Sequence, residues 1–538
     1  MRSTFSGIEI ARRALAAQQA AINTVGHNIG NANTDGYSRQ RVYLETTYPI
    51  PMPAFTNPRM AGQMGTGVIA SKIDRIREEF LDHQFRNESA YLGYWDAQVD
   101  VLNKIEVVMN EPTDDALAHV MDNYWAAWKD LEAEPDSASN REVLKQRGTA
   151  LVETFQHMKR SLLQYQQNMD DVIRVKAGEV NSYLRQLQEL NDQIGRIQPH
   201  GYETADLNDR RDLILDKLSS LIPIKVEPAS HGMIKISCND VEILNERERV
   251  EISAEVDPST GMYQVLADGS RLEMKTGFIQ GAMEGRGLPG PNGELTGILP
   301  DFIKNLDMLA QVLTKEVNDL HRSGMNMKDI EAQVEYQKKV DAGDPNPGNP
   351  PTLMQLPFFI DKSWYEANKN LLTEENLRNG TLNPADIPDP QDASNLMVNP
   401  LIMDSGDLIA AAQSVVKKDD GTSISYVGDG QNAKAISGLK FKKITDGFTD
   451  SGTMDQFYAN VIGELGIQSQ ESQRLQENMQ QITKDVDNSR QSVSGVSLDD
   501  EMADLIKYQQ AYNAAARNMT ALDEMLDKVI NGMGIVGR

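Results

Sequence analysis

The chain has 538 residues, 40% hydrophobic and only 6% aromatic, with a formal net charge of −26. That length suits about three or four domains with a sizeable core. The acidic balance argues against nucleic acid as a partner and gives no support to an anionic membrane surface, because neutralising phosphates needs an excess of Lys and Arg.

The first thirty residues read as a helix. Ile8, Ala11, Leu15, Gln18, Ile22, Val25 and Ile29 follow an alternating 3,4 spacing, an a/d seam with one polar member. Glu9, Arg12 and Arg13 stand inside what would otherwise be an apolar core, so this stretch is not expected to be a cleavable secretory signal. Then comes the run NIGNANTDGYSRQRV, residues 28–42. Gly30, Asn31, Asn33 and Gly36 tolerate positive φ, which predicts a helix C-cap followed by a turn. RVYLETTY alternates, with Val42, Leu44 and Tyr48 expected on one face of a strand or extended arm and Arg41 and Glu45 on the other. A Pro-rich loop follows at 49–58.

Residues 68–110 and 114–132 are expected to be helical, and a long helix is expected over 138–197. Its seam is Leu151, Phe155, Met158, Leu162, Tyr165, Met169 and Val172, continued after a shift in phase by Tyr183, Leu187, Leu190, Ile194 and Ile197. A shorter helix covers 206–221. At Pro223 the texture changes to short strands separated by turns, a β-rich unit over about 222–280 closed by the Gly/Pro loop at 285–294. Cys238, the one cysteine, cannot form an internal disulfide and reads as a small core residue in MIKISCND. A helix is expected at 296–322, irregular chain over 325–450, and helix again at 453–492.

The last forty residues mirror the first. Leu505, Tyr508, Tyr512, Ala515, Met519, Leu522, Leu526, Val529 and Met533 hold the 3,4 spacing without a break. Asp499, Asp500 and Glu501 stand at the start, where carboxylates favour the helix dipole. The organisation is nested, with helical termini outermost and β-rich and irregular inserts in the middle, which builds a rod whose chain ends return to one end. The N-terminal helix contains Gly7, Gly26 and Gly30, each costing up to about 1 kcal/mol against Ala inside a helix, so it would be marginal alone.

Residues for chemistry do not assemble. The seven histidines form no HExxH or i,i+4 pair, and no Cys/His cluster exists. GTGVIA at 65–70 matches the loose dinucleotide pattern but follows NPRMAGQM rather than a strand. ADLNDRRDLILDKL offers paired carboxylates, yet Leu207, Leu213, Ile214 and Leu218 make it an amphipathic helix with an ordinary acidic first turn. No run approaches the roughly 18 apolar residues of a membrane span.

SGIEIARRALAAQQAAINTVGHNIGNANTDGYSRQRV and GVSLDDEMADLIKYQQAYNAAARNMTALDEMLDKVI resemble the N- and C-terminal signatures of the bacterial flagellar rod, hook and hook-associated axial proteins. GTGVIASKIDRIREEFLDHQFRNESAYLGYWDAQVDVLNKIE, ADLNDRRDLILDKLSSL, EVNDLHRSGMN and MDQFYANVIGELGIQSQ resemble its hook–filament junction members, and the likeness covers most of residues 1–325 and 395–538. The resemblance implies a structural subunit between hook and filament, exported without a cleaved signal through the flagellar type III route, with no enzymatic activity and no cofactor, metal or small-molecule substrate. The implied partners are further copies of the chain in a helical or ring assembly, the hook protein, a second junction protein, and a cytoplasmic export chaperone on the C-terminal helix. A hook or distal rod subunit, or an enzyme domain carried on a flagellar scaffold, are the competing readings.

The expected fold is α+β and multidomain: a terminal coiled-coil core domain (1–40 with 495–538), a helical rod domain (41–221 with 296–325 and 451–494), a β-rich insert (222–295) and an irregular mixed insert (326–450). The expected assembly interface is Ile8, Ala11, Leu15, Ile22, Val25 and Ile29 against Leu505, Tyr508, Tyr512, Ala515, Met519, Leu522, Leu526, Val529 and Met533. Asn28, Asn31, Asn33, Thr34, Gly36 and Tyr37 are the expected turn residues of the family signature.

Overall fold

The computed structural model describes residues 5–49, 65–110, 113, 116–290, 293–344, 346–413, 416–417, 423–424, 428–445 and 452–532. The chain opens with α1 (Ser6–Asn31), a two-stranded antiparallel ribbon of β1 (Gln40–Thr46) and β2 (Val68–Arg75), and then α2 (Glu79–Met109), α3 (Leu117–Ala133), α4 (Ala138–Ile197) and α5 (Ala205–Leu221). The helix expected over 68–110 therefore begins only at Glu79. Residues 68–75 are a strand instead, because the β-branched run Val68, Ile69 and Ile73 finds a partner in β1, pairing Thr46 with Val68 and Gln40 with Arg75. A register shift between Tyr43 and Leu44 also breaks the expected alternation in β1, so Val42 is buried while Leu44 and Tyr48 are exposed.

The 60 residues of α4 form the spine, packed by α3 and α5 and by the elements that follow. Ser137 caps it, its Oγ accepting from Asn140 N at 3.3 Å. Leu151, Phe155, Met158, Leu162 and Met169 are buried as the spacing predicts, but Val172 is exposed and Ile173, Ala177 and Val180 carry the stripe onward. An undistorted 3.6-residue period drifts against a strict 3,4 alternation, and the phase slip falls there.

Two small antiparallel sheets lean on the second half of α4. One is β3 (Lys225–Pro228), β4 (Ile234–Cys238), β5 (Val241–Asn245) and β6 (Glu248–Arg249), and the other is β7 (Ile252–Val256), β8 (Tyr263–Ala267) and β9 (Ser270–Arg271). Cys238 is fully buried, and burial pushes its thiol up to about 12. The sheets hang from α4 by two asparagines. Asn191, with no exposed surface, donates Nδ2 to Ile234 O at 2.9 Å and accepts from Ile234 N at 3.3 Å. Asn181 likewise donates to Ile252 O and accepts from Ile252 N at 2.9 Å. The stretch expected to complete the β-rich unit and its closing loop contains instead a helix, α6 (Phe278–Arg286), pressed onto α2 so closely that a Cβ at Gly281 would lie 2.4 Å from Tyr94 O. Tertiary contact, not local pattern, holds this short Gly-rich helix.

After the two-residue strands β10 (Leu288–Pro289) and β11 (Leu295–Thr296) comes α7 (Ile298–Ser323). The stretch expected to be irregular contains α8 (Met327–Asp341), β12 (Phe359–Asp361), α9 (Lys362–Asn368), α10 (Glu374–Arg378), β13 (Leu396–Val398), α11 (Pro400–Asp404), β14 (Val416–Lys417), β15 (Ser423–Ile424) and α12 (Gln431–Ser437). α8 buries only Asp329 and Ile330, so no apolar period marks it in sequence. The chain returns through α13 (Met454–Ser494), which runs antiparallel along α2, and ends in α14 (Leu498–Gly532).

One part of the core is a cluster of aromatic rings. Tyr124 and Trp128 from α3 and Phe358 and Phe359 beside β12 are fully buried around His321 of α7. His321 bonds Leu356 O through Nδ1 at 2.6 Å, and Nε2 accepts from Ala410 N at 3.0 Å, which fixes the neutral Nδ1–H tautomer. Burial, reinforced by the nearby Arg322 and Arg141, lowers its pKa to about 4. The unfolded imidazole takes up its proton near pH 6.5, while the folded one stays neutral until about pH 4, so stability falls as pH drops through that window. The loss reaches roughly 3 kcal/mol if the whole shift is expressed. Thermal unfolding between pH 7 and 4.5 should show the decline, and His321→Gln should flatten it while lowering stability at pH 7; an unchanged pH slope would remove His321 as its source.

Candidate assembly interface at the paired termini

The last helix folds back on the first. α1 and α14 pack antiparallel, with Gly7 against Leu522 at one end, where an added Cβ would stand 3.0 Å from Leu522 Cδ1, and Asn28 against Glu501 at the other. On α1 the deepest positions are small or polar: Ala11, Ala17, Ala21, Thr24, Val25 and Asn28 are buried, while Ile8, Leu15, Ile22 and Ile29 are half-buried. On α14, Leu505, Tyr508, Tyr512, Ala515, Met519, Leu522 and Leu526 turn inward yet stay half-buried. Val529 is 47% exposed, and Met533 lies outside the described residues. Leu498, Met502, Ile506, Met525 and Ile530 form a second apolar set on α14 that is exposed to solvent. The β1–β2 ribbon lies along α1, with Gly67 against the Ile10 backbone.

The turn after α1 ties this pair to the body. Asn28 is 1% exposed and uses its full hydrogen-bonding capacity. Its Oδ1 accepts from Gln40 N at 3.0 Å and Tyr37 OH at 2.8 Å, and its Nδ2 donates to Gln40 O at 2.9 Å and Glu501 Oε2 at 2.9 Å. Arg39 Nε donates to the other Glu501 oxygen at 2.6 Å, and Arg39 N to Ser494 O at 2.8 Å. One side chain thus joins α1, β1 and α14. Burial, with the carboxylates of Asp206, Asp209 and Glu501 around it, holds the Tyr37 phenol protonated well above its ordinary range. Asn31 Nδ2 donates to His27 O at 3.0 Å, Thr34 Oγ1 donates to Asn31 Oδ1 at 3.3 Å, and Asn33 is exposed. The helix runs through Gly30 to Asn31, and of the four residues expected to need positive φ only Gly36 does, at φ +77 with Leu213 Cβ 3.1 Å from where its own Cβ would be.

Sequence reading placed Glu501 among residues that favour the helix dipole. The structure buries it to 1% and makes it the counterpart of Asn28 and Arg39. It also missed the adjoining network. Arg75 bonds Asp209 and Asp212, Arg77 bonds Asp82, Arg86 bonds Asp212 and Asp216, and Arg490 bonds Asp82 and Asp216, which joins β2, α2, α5 and α13. Burial alone would raise the Asp212 carboxyl, but Arg77, Arg75, Arg86 and Arg211 hold it at about 2. The only local signal was the density of charge in IDRIREEF and NDRRDLILD, which the amphipathic pattern already explained.

Truncating Asn28 to Ala leaves Gln40 N–H, Gln40 C=O and a Glu501 oxygen unpaired in a buried site, a loss of about 2–4 kcal/mol. Hydrogen exchange is the measurement: amides of α1 and of the first turns of α14 should lose protection in Asn28→Ala, and those of α4 should not. Equal loss in α4 would mean that the side chain supports the whole fold rather than the terminal pair.

Three family profiles match the chain: flagellar hook-associated protein FlgK helical domain over residues 102–333, flagellar basal body rod FlgEFG protein C-terminal over 488–532, and flagella basal body rod protein over 8–37. The chain is 34% identical to flagellar hook-associated protein 1 of Bacillus subtilis, with 100% of each covered. It is 22% identical to the protein of that name from Salmonella typhimurium and 23% to that from Escherichia coli, in each case over 97% of this chain and 99% of the relative. The solved structure of the flagellar hook junction protein FlgK from Burkholderia pseudomallei superposes with a TM-score of 0.53 at 13% identity, covering 77% of this chain and 100% of that one, and shares its fold. The terminal profiles fall on α1 and α14, the interior profile on the α4 spine and its neighbours, and the full-length identity spans all of them: the chain belongs to the flagellar hook-associated protein 1 family, whose members are structural proteins of the bacterial flagellum.

Proposed function

We propose that the chain is a non-enzymatic structural subunit at the junction of flagellar hook and filament, assembling with copies of itself, with the hook protein and with a second junction protein. The observation that carries the reading is the incomplete burial of the α1–α14 pair. A two-helix pair leaves each seam half-covered, and Leu498, Met502 and Ile506 form an apolar row at i, i+4 spacing on a face that the described residues leave uncovered. Neighbouring terminal pairs would cover both. The expected domain partition follows the same logic, with the terminal pair as the assembling core and the α4 spine and its inserts standing away from it.

Ile506→Glu separates assembly from folding. Ile506 is 57% exposed, so the substitution should change thermal stability by less than about 0.5 kcal/mol. In a deletion strain, the wild-type chain should restore motility, while the variant should yield hooks without filaments and filament protein in the medium. A normally motile variant would place the interface on another face, and a hook or rod role predicts loss of the hook itself.

We further propose export without a cleaved signal by the flagellar type III route, with a cytoplasmic chaperone covering α14 beforehand. The support is the long, largely apolar and incompletely buried stripe from Leu505 to Val529, which could sit in a groove of helix-binding character. Chaperone binding should be lost in a chain ending at residue 498 that retains a folded α4 spine. Equal affinity for the shortened and complete chains would put the site elsewhere.

A further inference from the structure

The buried charge network beneath the terminal pair does not close. Among the described residues Arg75, Arg77, Arg86 and Arg490 each have a carboxylate oxygen within 2.9 Å, shared among Asp82, Asp209, Asp212 and Asp216. Arg211 is the fifth guanidinium. It is 8% exposed and, among the described residues, has no carboxylate within ion-pair distance; Nη1 donates to Gly232 O at 2.8 Å and the buried Nε has no partner among those residues. One turn earlier on α5, Asn208 donates Nδ2 to Thr204 Oγ1 at 3.2 Å and leaves Oδ1 buried and unbonded. Both residues line a cleft of about 450 Å³ between α2 and α5 on one side and β3 and β4 on the other. The carboxylates that reach this cleft are already engaged or stand outside the network: Asp82 and Asp212 hold the other arginines, Asp74 pairs with Lys72, and Glu79 is exposed.

A buried guanidinium with no carboxylate oxygen in contact is costly, and its planar fork suits an oxyanion better than a spherical ion. We propose that this cleft binds an oxyanion, a carboxylate or a phosphate group, on Arg211. Burial, against the attraction of Asp212 and with smaller repulsions from Arg75, Arg86 and Arg77, lowers the Arg211 pKa to about 10, so the protonated guanidinium gains from an added negative charge. Asn208 Oδ1 can accept the hydroxyl of a hydrogen phosphate, which a simple carboxylate lacks. An anion there braces the joint between α2 and α5 and the first β-sheet.

The test is calorimetric titration of the full chain with inorganic phosphate and, separately, with acetate at constant ionic strength. Phosphate should bind in the wild-type chain and at least about tenfold more weakly in Arg211→Gln, the loss of one charge-assisted hydrogen bond. Asn208→Asp keeps the arginine and supplies a carboxylate one helical turn away. It should abolish phosphate binding and raise thermal stability, and it covers the case in which Arg211→Gln fails to fold. Binding of acetate as well marks a site for the acidic side chain of an adjoining protein, and binding of phosphate alone marks a free tetrahedral anion. No binding of either anion, unchanged binding in Arg211→Gln, or a destabilised Asn208→Asp overturns the assignment.

Discussion

An asparagine, buried at three of its four sites, that holds both backbone groups of one strand residue is the interaction on which this architecture depends. It occurs at the first residue of a strand, where a small sheet docks on a helix. Asn28 of α1 holds Gln40 of β1, Asn181 and Asn191 of α4 hold Ile252 of β7 and Ile234 of β4, and Asn318 of α7 holds Phe359 of β12. In each case Oδ1 accepts the strand N–H and Nδ2 donates to the carbonyl of the same residue. A carboxamide has the donor–acceptor order of a peptide group, so it completes a one-residue ladder from a helix surface. A carboxylate could not donate, and an apolar residue would strand two buried backbone groups.

The arginine–aspartate network couples β2, α2, α5 and α13 at the foot of the terminal pair. Buried ion pairs add little net stability, because desolvation offsets most of the attraction, but removing one partner is expensive, so the network resists change in geometry. Because Asp212 is held at about 2 against an ordinary 3.8, its contribution is present above pH 3.8 and is lost as pH falls toward 2. That window lies below the His321 window.

The terminal pair itself is economical in area. Small residues on α1 let α14 approach, and the larger side chains that follow the 3,4 spacing remain half-exposed. Under the proposed function, incomplete burial in the single chain and completion in an assembly are two consequences of one seam.

Periodicity decided a good deal unaided. The 60-residue extent of α4, the α7 and α13 helices and the helical character of both termini follow from local apolar spacing, which needs no knowledge of what lies opposite. The inward face of α14 follows the same rule, because side chains three and four apart share a helix face whatever the partner. Tertiary structure decided the rest. Val68–Arg75 became a strand because β1 lay beside it, Phe278–Arg286 became a helix because α2 accepted its glycines, and α8 has no legible stripe because it buries almost nothing. Glu501 and Asn28 are 473 positions apart, and neither carries any sign in sequence of a hydrogen bond to the other. Polar side chains look alike on a solvated face and in a buried clasp; only the packing that removes water from around them turns one into the other.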